Sequence, residues 1–435
     1  MKALRIMIAL TVCWLPAIAT AQADYPDSIT IEQAVALALQ NAPSVRQAES
    51  RLTAAEALTD VRRSALYPDV SLTGDYAHIG PVPSFDLPGS GTIELAPRNN
   101  YDFHVGLHHT LYDFGKTDET IRLAETSRRS AADNIDLAKF RIGYRTISVF
   151  NSILILHQQI TVLDEQLRTL NQHLDMSVKR IAAGTATDFD TLTIQVKIAV
   201  AQSDRVDATH ALQNREIIFR QLTALPPDAP VNLSGSLESL RREFNTDSLI
   251  TAAFQQRPEL LLARDAETTA IVASKLASLN DKPHLALNLA TGFENGYEPN
   301  LNTLRGNYAA GLQVKIPVFN GNETRHREAE ATAKLSTAQA RTTDLEQQIQ
   351  SEVRQAVSGV NSSLQKIAST DTQVRQAEEA VAMARVRYDA GVITNLDLLD
   401  AEMTLSEVKL IRLHAFYNYT ESLNALNRAT GRKIW

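Results

Sequence analysis

The sequence predicts a mainly helical chain with a small β part, built from very long helices and a few short strands. Three observations carry this prediction. The chain is written twice, each half closes in a long proline-free run, and each run follows two segments of strict apolar/polar alternation.

The duplication is visible in fixed offsets. Pro43 and Pro258 lie 215 positions apart, as do Pro68 and Pro283, while Gly106 pairs with Gly311 and Ala124 with Ala329 at 205. Arg180/Arg387, Gly184/Gly391, Thr187/Thr394 and Asp190/Asp397 all recur at 207. Landmarks in one order define a first structural repeat over 24–230, a linker over 231–246 and a second repeat over 247–435.

Residues 1–23 carry Lys2 and Arg5, then an apolar stretch, then small residues at cleavage spacing, so they read as a signal peptide that is removed. The single cysteine, Cys13, falls inside that segment and would leave with it, which removes disulfides and thiol-based metal sites. Without Lys2 and Arg5 the balance is 41 basic against 50 acidic residues, an acidic exported chain with no case for nucleic acid. No later stretch has the roughly 18 uninterrupted apolar residues of a membrane helix. Any membrane span must therefore be made of strands.

Such strands are present in both halves. In "DVSLTGDYAH" Val70, Leu72 and Tyr76 alternate with polar residues, and in "YDFHVGLHHTLY" Tyr101, Phe103, Val105, Leu107 and Leu111 do the same. The second half repeats the pattern with Leu285, Leu287, Leu289 and Phe293, then Leu312, Val314, Ile316 and Val318. Lengths near ten and a period of two suit strands with one face toward lipid, although a soluble sheet covering a helical core gives the same pattern. Four strands cannot close a barrel, so closure needs several copies. The Pro/Gly-rich segment 79–100 between the first two strands reads as a long loop.

No proline occurs in 98–225 or in 318–435, although the chain has fifteen. The runs 117–182 and 322–389 are predicted as unbroken helices, each roughly 100 Å long at ~1.5 Å per residue. In the first, Leu156, Ile160, Leu163, Leu167, Leu170, Leu174, Val178 and Ile181 form a heptad-like seam. Helices of that length do not fit inside a globule about 55 Å across.

His104, His108 and His109 share a strand, with 104 and 108 on one face and 109 on the other, and are expected as polar lining instead of metal ligands. No nucleophile motif links the scattered Ser, His and Asp residues, so catalytic residues, cofactors and metals are not expected. Gly143 and Gly359, inside the long helices, are read as sites of close packing or bending.

These landmarks resemble the TolC-type outer-membrane efflux protein family, most specifically in "RYDAGVITNLDLLDAE", where Arg387, Tyr388, Gly391, Thr394, Asp397 and Asp400 fall on the family pattern. The resemblance implies a homotrimer whose four strands per protomer complete a 12-stranded transmembrane β-barrel. It also implies that the long helices continue as an α-barrel across the periplasm of a Gram-negative cell. The implied function is an outer-membrane exit duct of a tripartite efflux or type I secretion system, with outer-membrane lipid, a periplasmic adaptor and an inner-membrane transporter as partners. A soluble periplasmic coiled-coil adaptor or scaffold is the competing reading, since it accounts for helices and export but not for the strands.

The turns are the expected site. Gly184 and Gly391 would end the long helices in left-handed backbone, with Thr187 and Thr394 capping the returning ones. Asp190 and Asp397 then occupy the capping-box position, and either capping or a role in the pore accounts for them. Asp400 lies one turn beyond Asp397, and its counterpart is Thr193, so capping does not require it. By resemblance, Asp397, Asp400, Asp190 and Tyr388 belong to a periplasmic gate or selectivity ring. The tips, Arg180, Gly184 and Thr185 with Arg387, Gly391 and Val392, are expected to dock the adaptor. Ile393 and Ala186 stand where family members can carry a latching basic residue.

Overall fold

The structure, a computed structural model, describes residues 28–87, 89, 91–185, 187–235 and 244–435. The expected signal peptide, Ala186 and residues 236–243 of the linker lie outside the described residues.

Short helices α1 (Ile31–Asn41) and α2 (Pro43–Arg63) open the first half. Thr30 caps α1 in a capping box with Gln33, and Pro43 ends α1 while starting α2. Strand β1 (Asp69–His78) leads through a small hairpin, β2 (Ser84–Leu87) and β3 (Gly91–Glu94), into β4 (Asn99–Tyr112). The long helix α3 (Lys116–Ala182) runs to the first tip, and α4 (Asp188–Thr223) returns. The second half repeats this with α5 (Thr246–Gln256), α6 (Pro258–Ala277), β5 (His284–Glu294), β6 (Arg305–Lys315), α7 (Glu323–Asp389) and α8 (Asn395–Ala429).

Helices α3 and α7 are 67 residues each, or about 100 Å. Each is flanked by two half-length helices: α3 packs on α4 and α2, and also on α8 and α6, while α7 packs on α8 and α6. The layer order is therefore α4/α2, α3, α8/α6, α7. Mid-height, α1 covers α3 and α4 through Ala34 against Val149, Phe150, Ile153 and Phe219, and α5 covers α7 through Ile250 and Ala253 against Ile349 and Val353. One eighteen-residue window of α3 is apolar enough by composition to cross a membrane, contrary to the uninterrupted-run test, but half of it is buried inside the protein.

The heptad seam holds over Leu163 and Leu170, which are fully buried, and then departs from the expected course. Val178 is 54 % exposed, while Ser177, seven residues after Leu170, is buried. A stripe of constant seven-residue spacing selects Ser177, whose hydroxyl occupies the seam in place of the neighbouring valine. Gly143 is a packing site. The Trp435 ring lies where a Cβ would stand, 2.6 Å away, and Tyr144 donates to the Arg432 carbonyl at 2.5 Å. The C-terminal segment is thereby pinned to α3.

The four principal strands form one antiparallel sheet in the order β1-β4-β5-β6. Cross-strand pairs Leu72↔Val105, Phe103↔Phe293, Leu107↔Leu289 and Leu287↔Leu312 place apolar side chains on one face. Thr73↔His104, His108↔Asn288 and Glu294↔Arg305 occupy the other. On the apolar face Leu72 is 77 %, Leu312 66 % and Tyr308 87 % exposed, a surface that water does not favour and hydrocarbon does. Both edges, β1 and β6, lack a strand partner among the described residues.

Two strand details differ from the sequence reading. Strand β6 ends at Lys315, because Pro317 has no N–H for the ladder, so Ile316 and Val318 lie beyond it. The loop 79–100 contains the β2–β3 hairpin, whose four-residue strands are too short to register as alternation.

Candidate functional site at the helical tips

Each long helix ends in the same way. Gly184 and Gly391 have φ of 73° and 71°, a left-handed backbone that glycine adopts without steric cost. The Thr185 N–H donates to the Arg180 carbonyl and the Val392 N–H to the Arg387 carbonyl, both at 2.9 Å, closing the last turn. Thr187 and Thr394 then start the return helices in capping boxes with Asp190 and Asp397. Asp397 Oδ2 accepts from the Thr394 N–H at 2.8 Å and its hydroxyl at 2.7 Å, and these bonds hold its carboxyl below the usual carboxylate range. Asp190 Oδ2 accepts the equivalent pair from Thr187 at 2.9 Å each.

Asp400 differs. Its Oδ1 accepts from Lys197 Nζ on α4 at 2.6 Å, so it links the second repeat's return helix to the first's. Tyr388 serves a second cross-repeat contact, with the Arg180 guanidinium 4.6 Å above its ring. Arg387 and Val392 are exposed at the extreme tip, and Arg387 makes no ion pair among the described residues.

A buried polar cluster sits about two turns above, and sequence reasoning missed it. Glu402 on α8 accepts from His173 Nε2 on α3 at 2.7 Å and from Arg385 on α7 at 2.8 and 3.1 Å. His173 Nδ1 lies 2.7 Å from Asn395 Oδ1, so each ring nitrogen faces an oxygen acceptor, an arrangement that favours the protonated ring. Burial pulls the His173 pKa down, but Glu402 and Asn395 outweigh it and hold it above its ordinary value. Burial likewise opposes ionisation of Glu402, and His173 and Arg385 more than offset it, leaving its pKa lowered. The available signal was positional. Glu402 follows Leu398 and Leu399 at helical spacing, and His173 follows Leu170, so each ionisable group occupies a core position that requires a partner.

Beneath the cluster, Leu170, Ile194, Ile198 and Leu399 join α3, α4 and α8 in one apolar core. The structure thus brings together Arg180 with Tyr388, and Asp400 with α4. It leaves Arg387, Val392 and Thr185 on the outer surface of the tip. Of the strand histidines, His104 bonds to Asp102 and Asn307 and His108 to Asn288, and no group of three metal-ligating side chains occurs among the described residues.

An apolar-faced antiparallel sheet too small to close, joined to 100 Å helices that turn at a polar tip, defines an outer-membrane duct with a periplasmic extension. The family model described as outer membrane efflux protein matches residues 34–225 and 249–432, and the chain belongs to that family. The chain is 21 % identical over 400 residues to the outer membrane protein TolC of Vibrio cholerae, covering 91 % of this chain and 89 % of that one. It is 26 % identical over 284 residues to the alkaline protease secretion protein AprF of Pseudomonas aeruginosa, covering 63 % of this chain and 58 % of AprF. The Campylobacter jejuni CmeC outer membrane channel superposes with a TM-score of 0.79 at 17 % identity, over 92 % of this chain and 85 % of CmeC. The fold is that of these outer-membrane channels, and the soluble adaptor reading falls away.

Proposed function

We propose that three copies of this chain form a passive, water-filled exit duct in a tripartite efflux or type I secretion system. An inner-membrane transporter would supply the energy, through a periplasmic adaptor docked on the tips. The observation that carries this reading is the sheet: four strands, lipid-compatible on one face, polar on the other, with both edges unpaired among the described residues. Within the chain, 24–230 and 247–435 are read as the two repeats, joined by 231–246.

The tips serve as gate and dock in this reading. Tyr388 and Asp400 hold the second repeat's turn against the first, Asp397 and Asp190 fix the return helices, and six carboxylates from three copies of Asp397 and Asp400 line the entrance. Arg180, Gly184, Thr185, Arg387, Gly391 and Val392 shape the docking tips. Passive conduction needs no catalytic residue. The test is single-channel recording in planar bilayers with the purified, detergent-extracted protein. Discrete conductance steps from a trimer support the duct, and a water-soluble monomer without conductance refutes it.

A further inference from the structure

At mid-height the helical layer encloses a cavity of about 660 Å³ that the tip-centred function does not use. It spans α3, α4, the α5–α6 junction, α7 and α8. Arg141 lies nine residues, or two and a half turns, before Phe150, which packs on α1, so the two side chains leave α3 on opposite faces. Arg145 and Ser148 share the face of Arg141 at helical spacing.

The lining contains five arginines and two glutamates. Buried Arg257 engages both acids, Glu259 at 3.1 Å and Glu352 at 2.6 Å, and also donates to the Ala429 carbonyl. Arg141, Arg145, Arg215 and Arg428 are exposed around the same cavity, and none makes an ion pair among the described residues. The nearby Glu421 is occupied by Ser148, Asn151 and Asn424. In a chain of formal charge -7, five guanidiniums against two carboxylates leave this lining with a net charge of +3, with the Glu421 carboxylate close by. Like charges gathered in a low-dielectric concavity raise the local potential and draw counter-anions, and guanidinium forks bind phosphate and carboxylate bidentately.

We propose that Arg141, Arg145, Arg215 and Arg428 form an anion-binding belt at the waist of the duct, which retains cargo bearing several phosphate or carboxylate groups. The position of the belt rests on the duct reading, whereas its affinity does not.

The test uses inorganic tripolyphosphate and, separately, citrate, on the full-length trimer. Calorimetry in detergent should detect binding, and the R141Q/R145Q/R215Q/R428Q variant should weaken it at least tenfold. The corresponding Arg→Lys variant, which keeps the charge, should retain most of it and report folding. Binding of tripolyphosphate but not citrate assigns phosphate cargo, and binding of both assigns polyanions in general. In bilayers the same anion should block the parent channel and spare the Gln variant, with block by Mg²⁺ at the tips unchanged. A channel that conducts but binds neither anion, or binds them equally in the Gln variant, overturns the belt. So does protection of these arginines from phenylglyoxal in anion-free buffer, since a neighbouring copy would then neutralise them. Anion binding without conductance would instead overturn the duct and leave the site standing.

Discussion

His173 Nε2 and Glu402 Oε2 lie 2.7 Å apart, nearly out of contact with water, and join helices from the two repeats near the tip. Arg385 completes the cluster from α7, so one carboxylate ties three helices together. In the proposed gate, this contact would hold the two repeats together at the tip without a basic residue at Ile393 or Ala186.

Its strength should follow pH. The His173 contribution, from a raised pKa, is complete below the ordinary value of 6.5 and is lost as pH rises through the raised one. The Glu402 contribution, from a lowered pKa, is complete above 4.5 and is lost as pH falls through the lowered one. The thermal midpoint should therefore be highest between these limits and fall as pH rises through the raised His173 value. His173→Asn should flatten the alkaline limb, and Glu402→Ala should cost roughly 3 kcal/mol by leaving a buried cation short of its partner. An unchanged alkaline limb in His173→Asn would contradict the latch.

Lys197 shields Asp400, which makes the two acids of the second turn inequivalent. Lys197→Ala should free that carboxylate and strengthen divalent-cation block in single-channel records, while Asp400→Ala should weaken block and raise conductance. Asp397→Ala should mainly destabilise the start of α8 by removing the capping-box partner of Thr394, lowering the thermal midpoint slightly. Equal block in all three variants and the parent would remove the acids from the gate.

The Arg180–Tyr388 stack, an exposed guanidinium over a half-buried ring, is worth on the order of 0.5–1 kcal/mol. Tyr388→Ala should loosen the tip, seen as more frequent openings at fixed voltage, with little change in thermal midpoint. Arg387→Glu should leave conductance alone and reduce crosslinking to the adaptor, and undiminished crosslinking would move the dock elsewhere.

Asp265 on α6 faces Asp133 and Arg129 of α3, and burial, with the Asp133 hydrogen bond, pushes its carboxyl up to about 6. An acid whose folded pKa exceeds its unfolded one favours folding when protonated, and that advantage is lost as pH rises through 6. Asp265→Asn should thus raise the thermal midpoint relative to the parent at pH 8 and have little effect at pH 4. A midpoint lowered at pH 8 would show that the Arg129 pair dominates.

Much was legible in the chain itself because it is encoded locally. Proline-free runs set the helix lengths, glycine and threonine set the turns and caps, and alternation set the strands, since each depends on residues within a few positions of one another. The β2–β3 hairpin escaped because four-residue strands carry too little pattern. What only the tertiary structure decided are pairings across the repeats: His173 with Glu402 over 229 positions, Lys197 with Asp400 over 203, and arginines from separate helices around one cavity. Periodicity tells which face of a helix is buried, but not which residue of a distant helix lies at the same height, and that height decides whether a charge meets a partner or stands alone.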